Sequence, residues 1–335
     1  MFKQELALFY TAIQKARRVM ITATEREDGD SIAAELAVKY IIEKAFPSES
    51  PRVHIINLNP CPERFRFLHG ADDIVVFGDH EPEPYDVGIV VDCGIDRSGR
   101  VKSVYQQCGY RVKIDHHSFG NAGSYDLEIC TRDVASTTEI LYHFIDNTTR
   151  PLELDPVLAE MIYVGISCDT GSFRYDLTKP STHRIAARLL QTGFDFTRTA
   201  ERVHLTRTYT MKKLLGRALN RMETSANGHY LYSCLTREMV TQTGATQEDL
   251  GDIIDELCFV QGIEVSMLFV EESEAVIRVS FRSKGRLNVG RFARQITDSG
   301  GGHPRASGCI VQAPLAEAVR FVCGELEKEM ARLRL

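Results

Sequence analysis

Through the first half of the chain, apolar β-branched runs alternate with stretches whose apolar positions recur every three or four residues. The runs are VMITA, VHIINL, IVVF, VGIVVD and RVKID, and the helical pattern SIAAELAVKYIIEKAF follows the first of them. Continuous apolar strands separated by amphipathic segments predict an α/β domain: a parallel sheet with helices on both faces. Three further helical patterns, around STTEILYHFID, PVLAEMIYVGIS and THRIAARLLQTG, cover the sheet and end the domain near Gly193. The next segment, FTRTAERVHLTRTYTMKKLLGRALNRME, is polar, Arg-rich and helical in pattern, and it reads as a connector. From about His229 a smaller α+β unit begins. Its strands are HYLYSCL, IEVSMLFV, EAVIRVSFRS and GCIVQ, with helices around EDLGDIIDELC, VGRFARQI and the C-terminal AEAVRFVCGELEKEMARLRL. The expected organisation is thus a domain over 1–195, a helical linker over 196–222 and a second domain over 223–335.

Bulk composition narrows the function classes. With 335 residues, 43% of them hydrophobic and 26% charged, the chain has material for two ordinary globular cores. The opening MFKQELALFYTAIQKARRVM has an acid early and helical apolar spacing, unlike a signal peptide. No apolar run approaches the roughly 18 residues that cross a bilayer, so the expected location is cytoplasmic, without a membrane partner. Nine scattered cysteines lack zinc-site or disulfide-scaffold spacing and read mostly as small core residues. A net charge of -6 argues against a broad grip on long duplex nucleic acid and leaves room for a short anionic substrate.

Four acidic or histidine clusters fall at predicted strand ends or a helix boundary, the edge where open α/β sheets bind ligands. EREDGDS puts Asp28 and Asp30 at a turn opening a helix, where an N-cap role is the alternative. VVDCGIDR puts Asp92 at the end of a buried strand, costly unless it meets a cation or donors. IDHHS supplies Asp115, His116 and His117, and VGISCDTGSFRY places Asp169 at a helix C-terminus, where the dipole disfavours an acid. Asp28, Asp30, Asp92, His116 and Asp169 make an oxygen-rich set with one imidazole. It suits Mn²⁺ or Mg²⁺ better than zinc, and one carboxylate can bridge two ions for phosphoester hydrolysis.

In this order, DGD, a strand-end Asp, DHH and DTG resemble the DHH phosphoesterases. GGGHPRASG, with Gly300, Gly301, Gly302, His303 and Ser307, resembles the signature of the DHHA1 domain that accompanies them. The resemblance implies that Asp28 and Asp92 hold one metal ion and that Asp30, Asp92, His116 and Asp169 hold the other. It places His117 near the scissile phosphate, with Asp115 supporting that loop. Where similar members carry a His four residues before DGD, this chain has Thr24, and Glu27 stands where Pro is common. The first site is therefore expected to be the weaker, with Glu25, Glu27 or water filling the gap.

The second domain reads as the substrate grip. FRSKGRLNVGRF sets Arg282, Ser283, Lys284 and Arg286 between a strand and a helix, followed by glycines whose backbone amides can approach an anion. A solvated basic turn is the plainer reading for Lys284 and Arg286. The family pattern implies substrate contacts for Arg282, Ser283, Gly301, Gly302 and His303, and Arg97 beside the Asp92 loop is a further candidate. One DHH domain followed directly by one DHHA1 domain resembles the bacterial oligoribonuclease group called nanoRNases. That implies hydrolysis of short RNA or of adenosine 3',5'-bisphosphate, with cyclic or linear dinucleotides as the alternative substrate. A catalytically weakened nucleotide-binding protein is the rival class, because of Thr24. A homodimer is compatible with this layout.

Overall fold

The computed structural model describes residues 2–48, 51–78, 84–117, 124–147, 152–302 and 304–334. The chain divides into two compact units, Met1–Thr206 and Arg207–Leu335. In the first, α1 (Lys3–Lys15) precedes β1 (Arg18–Thr22), α2 (Gly29–Ala45), β2 (Arg52–Asn57), β3 (Ile74–Val76) and β4 (Val87–Val91). A short α3 (Lys102–Tyr105), β5 (Tyr110–Asp115) and β6 (Leu127–Cys130) follow. The unit continues with α4 (Thr137–Asn147), α5 (Pro156–Asp169), α6 (Pro180–Leu190) and α7 (Phe196–Ala200), after which Glu201–Leu205 form a turn of π-helix.

The strands lie in the order β3-β2-β1-β4-β5-β6, and every pair is parallel. Burial on both faces explains the unbroken apolar strands. Val19, Ile21, Ile89 and Val91 join the core built with α1, α2, α4 and α5. Met20 and Val90 point the other way, into a smaller cluster with Val101, Val104 and Tyr105. Helices therefore cover both faces, but the second only with α3 and single turns. The sheet grows outward from β1 to one side and from β4 to the other. That reversal opens a crevice at the C-terminal ends of β1 and β4, where the clusters sit.

In the second unit α8 (Tyr209–Asn220) leads to β7 (Glu223–Thr224), β8 (Tyr230–Leu235), α9 (Arg237–Thr243), α10 (Gln247–Leu257) and β9 (Val265–Ser273). Then come β10 (Val276–Ser283), α11 (Val289–Ile296), β11 (Gly301–Gly302), β12 (Ala306–Val311) and α12 (Leu315–Leu333). The sheet, in the order β11-β12-β10-β9-β8-β7, is antiparallel except for the parallel β8–β9 pair. Met267 and Phe269 of β9 face α11 and α12, whereas Leu268 and Val270 face α8 and α10.

The segment expected to link the domains is divided between them. Residues up to Thr206 stay with the first unit, and α8 belongs to the second. Met211, Leu214, Leu215 and Ala218 recur at helical spacing and pack on Leu231, Ile253, Ile254 and Leu257. The Arg-rich composition masked that stripe. Among the described residues no helix is long and apolar enough to cross a membrane. All nine cysteines are free thiols; Cys93, Cys108 and Cys309 are buried and Cys130 is exposed.

Candidate metal centre

Asp30 lies in the first turn of α2, completely buried, and its charge is met by another helix. Its Oδ2 accepts from Thr137 N at 2.6 Å, and its Oδ1 accepts from Thr138 N at 3.1 Å and Thr138 Oγ1 at 2.8 Å. The N-terminus of α4 thus points two amides and its positive dipole end at the carboxylate. Close approach of α5 completes the fit: a Cβ on Gly165 would fall 2.3 Å from Asp30 Oδ1.

Asp92 follows β4 in a left-handed backbone conformation, φ 61°, which Asp tolerates better than most residues. Ser31 Oγ donates to its Oδ2 at 2.6 Å and Thr137 Oγ1 to its Oδ1 at 2.9 Å. From the loop after β5, His116 brings Nε2 to 3.0 Å from Asp169 Oδ2 and 3.6 Å from Asp92 Oδ1. Asp30, Asp92, His116 and Asp169 each offer a ligand atom, all within 4.8 Å of one another, and Asp92, His116 and His117 form a second such group.

The electrostatics of this cluster favours a cation. Burial, then the charges of Asp30, Asp28 and Asp169, push the Asp92 carboxyl well above the ordinary carboxylate range. Burial with Asp30, Asp28 and Asp115 does the same to Asp169. His116 Nε2 is buried without a well-directed hydrogen bond, despite its nearness to Asp169. Like charges gathered around an unsatisfied ring nitrogen are stable when a cation lies between them, and three carboxylates with one imidazole suit a hard divalent ion. These four residues fit such an ion.

The neighbouring residues are arranged differently. His117 Nδ1 donates to Asp115 Oδ1 at 2.9 Å, and His117 N donates to the same oxygen at 2.9 Å. Burial raises the Asp115 carboxyl, but these bonds and Lys113 Nζ at 3.2 Å outweigh it and hold the group below its usual range. Asp28 stands outside the four-residue group: its Oδ1 caps α2, accepting from Asp30 N and Ser31 N at 3.1 and 3.0 Å. Thr24 is nearly buried, and its Oγ1 accepts from Arg26 N at 3.5 Å, a long contact. Of the two acids near it, Glu27 has a buried oxygen, Oε1, with no hydrogen-bond partner. Ser31, Thr137, Thr138 and Lys113 were not singled out from sequence. The run Ser136-Thr137-Thr138 at a helix start was the available signal, since hydroxyls and amides together make an anion-facing terminus.

In the second unit the expected grip is already engaged. Glu264 Oε1 accepts from Ser283 Oγ at 3.1 Å, Arg286 N at 2.7 Å and Leu287 N at 3.3 Å. Arg282 Nε reaches Asp255 Oδ1 at 2.6 Å, and Lys284 Nζ donates to Val260 O at 2.7 Å. The amides of Arg286 and Leu287, in the loop after β10, thus hold an internal carboxylate that lies 19 residues before Ser283. Gly301 and Gly302 form β11. At Gly302, φ 134°, a Cβ would lie 2.6 Å from Ala306 O, so the close approach of β12 leaves room only for glycine there. His303 lies outside the described residues. Arg97 ends an exposed turn beside the Asp92 loop, and its carbonyl accepts from Glu25 N at 2.8 Å.

A parallel α/β domain that gathers carboxylates and an imidazole at its strand ends, joined to a smaller α+β domain, belongs to the class of two-domain phosphoester hydrolases. The chain is a member of the DHH family: residues 18–166 match the DHH family N-terminal domain, and residues 227–331 match the DHHA1 domain. It is 27% identical over 289 residues to the bifunctional oligoribonuclease and PAP phosphatase NrnA of Bacillus subtilis, covering 85% of this chain and 87% of that one. A crystal structure of an exopolyphosphatase-related protein from Bacteroides fragilis superposes with a TM-score of 0.89 at 23% identity, covering 99% of this chain and 98% of the other. RecJ of Thermus thermophilus, solved in complex with Mn²⁺, shares the fold at a TM-score of 0.56 and 13% identity, over 99% of this chain and 55% of RecJ.

Proposed function

We propose that this chain is a metal-dependent phosphoesterase that hydrolyses short oligoribonucleotides and the 3'-phosphate of adenosine 3',5'-bisphosphate. The carrying observation is the convergence of Asp30, Asp92, His116 and Asp169 within 4.8 Å in a DHH domain. NrnA of Bacillus subtilis, whose name states both activities, supports the substrate class. Asp30, Asp92, His116 and Asp169 hold one Mn²⁺ or Mg²⁺. Asp92 with Asp28 holds a second, more weakly, Glu27 being the acid that compensates for Thr24. Such ions supply Lewis-acid stabilisation of phosphoryl charge and make water nucleophilic near neutral pH.

The protein residues then have distinct tasks. Ser31 and Thr137 keep both Asp92 oxygens fixed in direction, so the carboxylate needs no reorganisation when substrate arrives. Asp115 takes the His117 Nδ1 proton in a hydrogen bond, which orients the ring and offers Nε2 to the leaving oxygen as a proton donor. On the DHHA1 domain, the side chain of Asp255 is 48% exposed, so a substrate phosphate can compete for Arg282. Ser283, Gly301, Gly302 and His303 complete that proposed grip, with Arg97 as the corresponding arginine of the DHH domain.

The test is a panel of pNpN, short RNA, adenosine 3',5'-bisphosphate and cyclic dinucleotides with excess Mn²⁺, resolved by product chromatography. Mononucleotides from short RNA and phosphate from the bisphosphate are expected. Turnover confined to cyclic dinucleotides would replace the substrate assignment. Background rates with Mn²⁺, Mg²⁺ and Co²⁺, while nucleotide still binds, would make the protein a sensor.

A further inference from the structure

Strand β5 carries a lysine where a buried parallel strand ordinarily carries an apolar residue. Val112 and Ile114 enter the main core, so the alternation of β5 turns Lys113 and Asp115 together to the opposite face. Lys113 lies beside Val90 of β4 and Glu128 of β6, and its side chain is 2% exposed. Lysine is almost never buried to this extent unless its charge is met. Here it is met from two sides: Nζ lies 3.2 Å from Asp115 Oδ2 and 5.6 Å from the centroid of the Tyr125 ring.

The two oxygens of Asp115 keep different company. Oδ1 accepts from His117 N and His117 Nδ1, both at 2.9 Å. Oδ2 has no directed hydrogen bond among the described residues and faces the ammonium as an ion pair. The terminal torsion of an aspartate is broad, so the plane of its carboxylate is set by what holds its oxygens. A charge fixed at Oδ2 therefore decides where Oδ1 points, and Oδ1 is the atom that orients the His117 ring. Tyr125 extends the arrangement, its hydroxyl accepting from Ile95 N at 3.0 Å in the turn after Asp92. Lys113 thus stands behind the loop that carries His116 and His117 and is not itself a member of the ligand groups.

We propose that Lys113 is a positioning residue that acts through Asp115 to fix the His117 ring against the leaving oxygen. The inference rests on the phosphoesterase reading and deepens it. A ring that serves the leaving oxygen matters only where that oxygen needs a proton, so the contribution of Lys113 depends on the leaving group. A lysine buried for the sake of the fold would not distinguish one leaving group from another.

The test compares two substrates with excess Mn²⁺: pUpU, whose leaving group is a ribose oxygen, and the p-nitrophenyl ester of uridine 5'-phosphate, whose leaving phenolate is stable without a proton. Both present a uridine 5'-phosphoryl group to the metal centre. Lys113→Met should lower kcat on pUpU at least about tenfold more than on the ester, with KM changed by less than about twofold, a part of the 10²–10⁴-fold that a positioned proton donor supplies. Equal slowing of the two substrates, or no slowing of either, overturns the role. Should Lys113→Met not fold, Lys113→Met/Asp115→Asn, which leaves no buried charge unpaired, is compared with Asp115→Asn. The two should turn over pUpU within about twofold of each other, because a residue acting through Asp115 has nothing further to lose. An added fall in the double variant overturns the proposal. Inactivity of the wild type on both substrates would instead strike the phosphoesterase reading, and this proposal with it.

Discussion

Asp92 carries both a left-handed backbone and two hydroxyl partners, which lets its charge be separated from its shape. Asparagine also tolerates φ above zero, so Asp92→Asn should fold with little loss while removing the negative oxygen. We expect turnover to fall at least about a hundredfold, roughly 2.7 kcal/mol of barrier, with weaker Mn²⁺ binding by calorimetry; activity above a tenth of wild type would exclude a bridging role. Thr24→His should act in the opposite direction, strengthening the weaker site and raising activity at limiting Mn²⁺. Equal tight binding of two ions by the unmodified protein would show that Thr24 is no deficit. Asp92 was legible in the sequence because a buried strand end is an expensive place for a carboxylate. Ser31 and Thr137 were not, since a hydroxyl at a helix start ordinarily means only a cap, and nothing local says which acid it will face. Asp28 was read both ways, and one of its oxygens does cap α2.

Among the elements, α5 shows how closely a helix can be fitted to a charge. A Cβ at Gly165 would lie 2.2 Å from Thr138 Oγ1 as well as close to Asp30. Gly165→Ala should cost about 1–3 kcal/mol by denaturant unfolding and also weaken metal binding, because Asp30 must give way. Gly324 in α12 meets nothing within 4 Å, so Gly324→Ala should instead stabilise by about 0.5–1 kcal/mol, through helix propensity alone. The reverse order of stabilities would refute this reading of the two positions. Strands β1 to β5 were legible from unbroken apolar runs, whereas β6 has four residues of alternating burial and too short a signal. Helix α8 was legible as a helix but not as part of a core, because its destination depends on β8 and α10, later in the chain.

For the whole molecule, the buried Glu35 links stability to pH. Asn57 Nδ2 donates to its Oε2 at 2.8 Å, while Glu35 Oε1 and Asn57 Oδ1 have no hydrogen-bond partners. Burial raises the Glu35 carboxyl well above its usual range, despite the Asn57 bond. A raised carboxyl contributes stability that is fully present below the unfolded value of about 4.3 and is lost as pH climbs towards the folded one. Glu35→Gln does not titrate and can pair with Asn57 in both directions. Thermal unfolding in chelator should show the variant gaining on wild type as pH rises from 4 to 8, by about 1–3 kcal/mol. A pH-independent difference would contradict the assignment. The spread of Asp30, Asp92, His116 and Asp169 along the chain has a consequence for biosynthesis. Domains emerge from the ribosome N-terminal end first, so a nascent chain displays Asp30 long before α5 exists. The ion pocket cannot be completed until α5 has been made, and fragments released before Asp169 should be beyond rescue by added Mn²⁺.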